Sequence, residues 1–232
     1  AYKKLIDDLG RIFNCSGMTF PLAGTGTLAM EMAIANTTKR GDNVLIVSNG
    51  FFGDRFIEIC QRKGLNVDIL SAEWGTYVTP EEIDKKLSEK NYAAMTVTHV
   101  DTSTAVVAPI AEIGEVVKKY PNTVYILDGV AATAGEYADV DGMGIDVMFT
   151  ASQKAFGVSP GMFILWAGKK ALERRKTLGV IPEYFVDFDK YRDYLLPLGV
   201  NKIRILTGWA KSEKVKGKIH YENHPSRSSH HS

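Results

Sequence analysis

Five short apolar runs, each followed by polar or glycine-rich residues, constrain this chain more than any other feature. They are Asn43–Ser48 (NVLIVS), Ala93–Val97, Thr123–Leu127, Ile145–Phe149 and Met162–Trp166. Each is strand-sized and nearly continuous in its hydrophobicity, the mark of a strand buried on both faces. Met18–Leu22 and Asn66–Leu70 are further strand candidates. Between the runs the period changes. Tyr2–Asn14, Leu28–Asn36, Asp54–Arg62, Ile110–Lys119, Ala171–Lys176 and Asp189–Leu196 read as helices. Thr79-Pro80-Glu81-Glu82 is a helix start, with an N-cap candidate, Pro at N1 and acids in the first turn. Alternation of this kind predicts an α/β fold: a doubly wound, mostly parallel sheet with helices on both faces.

Such sheets bind ligands beyond the C-terminal ends of their strands, and the unusual residues of this chain fall there. Ala23-Gly24-Thr25-Gly26-Thr27 feeds a helix N-terminus, which suits a phosphate cradle or a plain strand-to-helix turn. Asn49-Gly50-Phe51-Phe52-Gly53 follows the second strand, and Phe52 there suits a ring-stacking aromatic or simply core. Thr98-His99-Val100-Asp101-Thr102-Ser103-Thr104 is a polar loop. Asp128 closes an apolar strand, where a carboxylate needs a partner or serves as a turn cap. Lys154 lies just past Ile145–Phe149, flanked by Ser152 and Phe156. Desolvation there would lower its pKa and free its amine for Schiff-base chemistry; otherwise it is a surface lysine.

Composition narrows the partners. The 232 residues are 45% hydrophobic and 24% charged, enough for a packed core, and the formal charge is only +1. That balance gives no case for nucleic acid or an anionic membrane as partner. No apolar run is long enough to span a bilayer. The N-terminus lacks a signal-peptide core, and Cys15 and Cys60 do not make a disulfide framework, so the expected compartment is the cytoplasm. The terminal His230 and His231 do not form a metal motif, and no metal is expected.

Taken together these motifs resemble the fold-type-I pyridoxal phosphate (PLP) enzymes of the class V aminotransferases, nearest to the alanine–glyoxylate and serine–pyruvate branch. The resemblance covers Tyr2 to about Tyr194. It rests on Gly24-Thr25-Gly26-Thr27, Asn49 to Arg55, Thr98 to Thr104, Leu127-Asp128-Gly129-Val130-Ala131, and Ser152-Gln153-Lys154-Ala155 with Pro160-Gly161. It implies that Lys154 carries the internal aldimine and moves the proton, while Asp128 pairs with the ring nitrogen. Phe52 would cover one ring face and Val130 the other. Thr25, Gly26, Thr27 and Gln153 would hold the phosphate, and Thr102 would lie near the ring hydroxyl. The implied reaction passes an amino group from alanine or serine to glyoxylate or pyruvate, in a homodimer.

The resemblance also implies boundaries. Residues 1–196 correspond to the PLP-binding large domain, without the family's N-terminal segment. Residues 197–232 read as a divergent or truncated tail, and the small C-terminal domain is absent. Tyr221-Glu222-Asn223-His224-Pro225 approximates a Tyr-x-x-Thr-x-Pro motif, with His224 in the Thr position and Pro225 one residue early. Two alternatives stand beside transamination: a cysteine desulfurase or related lyase on the same fold, and an inactive PLP-binding fragment. The desulfurases usually carry His over the ring and before the lysine, where this chain has Phe52 and Gln153.

Overall fold

The expected alternation is present. In chain order the elements are α1 (Tyr2–Ile12), β1 (Met18–Ala23), α2 (Gly26–Thr37), β2 (Asn43–Ser48), α3 (Phe51–Lys63), β3 (Asn66–Ser71), α4 (Pro80–Leu87), β4 (Ala94–Thr98), β5 (Val100–Asp101), β6 (Val106–Val107), α5 (Ile110–Val117), β7 (Val124–Asp128), β8 (Val147–Ala151), β9 (Met162–Ala167), α6 (Lys169–Thr177) and α7 (Phe188–Leu195). The computed structural model describes residues 2–195. The tail after Pro197, with its Tyr221–Pro225 motif and terminal histidines, lies outside the described residues.

Seven strands form one sheet in the order β1-β9-β8-β7-β4-β2-β3. The β2–β3, β2–β4, β4–β7 and β7–β8 pairs are parallel. β9 is antiparallel to both its neighbours. Its direction follows from the connection: only residues 152–161 link β8 to β9, too few for a crossover helix, so the chain must turn straight back.

Side chains along each strand alternate between two cores. Val44, Ile46, Val124, Ile126, Val147 and Phe149 pack under α2, α3 and α6, with Ala29, Met32, Phe56 and Ala171. Leu45, Val47, Met95, Val97, Tyr125 and Leu127 pack under α1, α4 and α5, with Leu9, Ile83, Ile113 and Val117. The result is an α/β/α sandwich, the architecture of the fold-type-I large domain.

Helix starts follow their caps. Thr79 and Glu82 form the full capping box at the head of α4. α2 starts at Gly26, earlier than the expected Leu28, because Thr25 is its N-cap and accepts from Leu28 N. α3 starts at Phe51, not Asp54, and Gly50 gives it no side-chain cap. The polar stretch after β4 is also more ordered than a plain loop: β5 and β6 pair as a small antiparallel hairpin. Among the described residues no helix is long and apolar enough to cross a membrane, and no cluster of three or more His, Cys, Asp or Glu could hold a metal ion.

Candidate active site

Five strand ends meet around one cavity of about 180 Å³. An apolar cavity of about 150 Å³ accepts benzene, so this one has room for a single six-membered ring with its substituents toward the open mouth. All nine residues expected at the site line it. Thr25, Gly26 and Thr27 come from the head of α2, Phe52 from the head of α3, and Thr102 from the β5–β6 hairpin. Asp128 and Val130 follow β7, and Gln153 and Lys154 follow β8.

The anion end is the first turn of α2. The N–H groups of Gly26 and Thr27 have no acceptor one turn back within the helix, and the helix dipole adds positive potential there. Thr25 Oγ1 accepts from Leu28 N at 3.3 Å, and Thr27 Oγ1 accepts from Arg55 Nη1 at 2.9 Å. Both hydroxyl oxygens are occupied as acceptors, so both O–H protons remain to be donated to an anion. Gly26 permits close approach: a Cβ there would come within 2.8 Å of Val130 Cγ2.

Phe52 is held by a contact far away in sequence. Asp101, fully buried, caps α3 from the hairpin. Its Oδ2 accepts from Phe52 N at 2.9 Å and Gly53 N at 3.2 Å. Its Oδ1 accepts from Ser103 N at 3.0 Å and Ser103 Oγ at 2.7 Å, and Ser103 Oγ itself accepts from Phe51 N. The carboxylate supplies the anion that Gly50 cannot. Gly53 is obligatory for this packing, since a Cβ would lie 2.8 Å from the Ser48 Cα. Phe52 therefore sits in the first turn of α3 and not in a free loop.

Asp128 is the buried acid. It is 3% exposed, and its Oδ1 accepts from Val130 N at 2.9 Å. Burial pushes its carboxyl up to about 7; the Val130 N–H, Arg55 and Lys154 pull it down, and Asp101 adds to the rise. Directly across the β4–β7 pairing lies Thr98, a residue that also lines the cavity and whose buried hydroxyl has no hydrogen-bond partner among the described residues.

Lys154 corrects one expectation. Its side chain is exposed, not desolvated, because β8 ends at Ala151 and the chain turns outward at once. The loop is nonetheless ordered. Ser152 N donates to Met162 O, Ser152 Oγ to Ser159 O, and Gly157 N to Lys154 O. Gly24 N donates to Gly161 O, which ties the lysine loop to the anion turn.

The donor set fits pyridoxal phosphate. The head of α2 and the two threonines suit a phosphate, Phe52 and Val130 suit two ring faces, and the buried Asp128 suits a protonated ring nitrogen. Beyond the expected residues, the cavity is also lined by Met30, Arg55, Thr98, Val100, Ala131 and Ala151. Thr98 could have been found by its place at the end of β4, level with Asp128. No local signal marks Asp101 as a cap.

Comparison with known proteins points the same way. A family model described as aminotransferase class-V matches residues 19–185. An uncharacterized aminotransferase of Methanocaldococcus jannaschii is 38% identical over 198 residues, covering 83% of this chain and 51% of that protein. Serine–glyoxylate aminotransferase of Arabidopsis thaliana is 32% identical, covering 83% of this chain and 48% of its own length. Among solved structures, alanine–glyoxylate aminotransferase from Nostoc sp. superimposes with a TM-score of 0.79 at 29% identity, covering 83% of this chain and 51% of that one. The chain thus spans about half the length of the curated relatives it matches.

Proposed function

The chain belongs to the class-V aminotransferase family, and from that premise we propose that its cavity is the cofactor site of a transaminase. The reaction moves an amino group from alanine or serine to a 2-oxo acid, glyoxylate or pyruvate. The observation that supports this reading is the convergence of all nine expected residues on one cavity. When bound, pyridoxal phosphate supplies an aldehyde for the amine and a protonated ring that acts as an electron sink.

The residues of the chain do the rest. Thr25, Gly26, Thr27 and Gln153 bind the phosphate. Phe52 and Val130 would flank the ring on its two faces. Asp128 would hold a proton on the ring nitrogen, and Thr102 would lie near the ring hydroxyl. Lys154 would hold the cofactor through its amine and, when its amine is free, would carry the proton to and from the substrate Cα. The exposure of Lys154 suits a group that must both hold the cofactor and swing clear of it.

On this reading residues 1–196 correspond to the large domain. A second copy of the chain would cover part of the cavity mouth; Trp74 and Tyr137, both 76% exposed, are the kind of large apolar surface such a partner buries. The free thiols of Cys15 and Cys60 fit a reducing, cytoplasmic setting. The test is to load the chain with pyridoxal phosphate and add L-alanine or L-serine. Loss of the Schiff-base absorbance, reversed by glyoxylate or pyruvate, is the expected result. A band that no amino acid moves would leave a cofactor-binding protein without transaminase activity.

A further inference from the structure

Arg55 lines the cavity one helical turn along α3 from Phe52. Its Nη1 donates to Thr27 Oγ1 at 2.9 Å. Its guanidinium carbon lies 4.9 Å from the Phe52 ring centroid and 5.2 Å from that of Phe51, and the two rings meet edge to face. Among the described residues no carboxylate lies within ion-pair distance of it. This is a half-buried cation whose contacts are one hydroxyl and two aromatic faces. Aromatic faces offset part of the cost of desolvating such a cation.

The contacts have consequences for the cavity. A donor arriving at Thr27 Oγ1 fixes how that hydroxyl can turn, so its own proton points away from Arg55 and is free for an anion. The same planar group backs the two rings, so Phe52 cannot swing without losing the stack. Thr27 belongs to α2 and Phe52 to α3. Among the described residues no other hydrogen bond joins the heads of these two helices directly.

We propose that Arg55 is the positioning residue of the cofactor cavity, a brace that sets the anion-binding hydroxyl of Thr27 and the ring-stacking face of Phe52 at a fixed separation. The proposal rests on the reading of the cavity as a pyridoxal phosphate site. Arg55 also lowers the proton affinity of Asp128, opposing burial, so the same brace helps keep the acid ionised beneath the ring. A lysine replaces it only in part, because a point charge on a flexible stem lacks the planar fork that reaches Thr27 while lying near both rings.

The experiment titrates pyridoxal phosphate into the wild-type chain, Arg55→Met, Arg55→Lys and Thr27→Val, together with the Arg55→Met/Thr27→Val double variant. It reads Schiff-base absorbance for affinity and induced circular dichroism of that band for ring orientation, with cofactor-free melting curves as the folding control. Arg55→Met should bind about ten-fold or more weakly, the scale of one charge-assisted hydrogen bond plus a cation–π contact, and lose most of the induced dichroism. Arg55→Lys should recover part of the affinity but not the dichroism. The double variant should lose less than the sum of the two single losses. Wild-type affinity and dichroism in Arg55→Met would overturn the proposal, as would full retention of both in Arg55→Lys should the Met variant not fold. No band in the wild-type chain is a different outcome: it removes the cofactor reading itself and the brace with it.

Discussion

Asp128→Asn should make the cofactor-free chain more stable, not less, by an amount that grows as pH rises from the ordinary carboxylate range to neutral. The native carboxyl is 3% exposed, and burial, against the pull of the Val130 N–H, lifts it from 3.8 to about 7. In the unfolded chain it returns to the ordinary carboxylate value, near 3.9. Between these two values the folded chain keeps a proton that the unfolded chain has released. Stability therefore falls as pH rises through that window and stays reduced above it. A rise from 3.8 to about 7 is worth about 4 kcal/mol. Asparagine has the same shape, can still accept from Val130 N, and never ionises. The variant should match wild type near pH 4 and exceed it by up to about 4 kcal/mol near pH 8. For a chain of this size that is roughly 8–16 °C in melting temperature. Thermal or urea denaturation of both proteins across that range is the assay. With pyridoxal phosphate present the order should reverse, because a neutral amide cannot hold a proton on the ring nitrogen. Parallel pH profiles for the two proteins, or a variant less stable at every pH, would refute the reasoning that burial sets this acid.

Three further changes separate scaffold from chemistry. Lys154→Ala should abolish the Schiff-base band yet leave the unfolding free energy of the cofactor-free chain unchanged within about 0.5 kcal/mol in denaturant melts, because the residue is exposed. Asp101→Asn should cost about 2–4 kcal/mol in denaturant melts, since an amide cannot accept all four hydrogen bonds now made to the carboxylate; cofactor affinity should fall with it as Phe52 loosens. Gly53→Ala should cost about 1–3 kcal/mol, as its Cβ would meet the Ser48 backbone at 2.8 Å, with a circular-dichroism melt as the readout.

Much of this arrangement was legible in the sequence because it is local. Continuous apolar runs such as Asn43–Ser48 are strands whatever surrounds them, and their alternation with helical periods leaves few architectures. Thr79-Pro80-Glu81-Glu82 opens a helix as expected, and its partners, which close a capping box, all lie within one turn. What the sequence hid is tertiary. α3 begins at Phe51 because Asp101, some fifty residues on, supplies its cap. β9 runs backwards because of a short connection, which hydrophobic patterning does not encode. The desolvation expected at Lys154 failed for a related reason: a buried strand does not bury the residue three places beyond its end. Arg55 was visible only as a letter in a motif, since its value lies in touching Thr27 and two rings at once.

Borohydride reduction of the chain after incubation with pyridoxal phosphate, followed by peptide mapping, tests the site most directly. A single pyridoxyl group on Lys154, absent from Lys154→Ala, is the predicted result. Label spread over surface lysines, or equal labelling of the Ala variant, would contradict the claim that these loops converge to hold one cofactor through one amine.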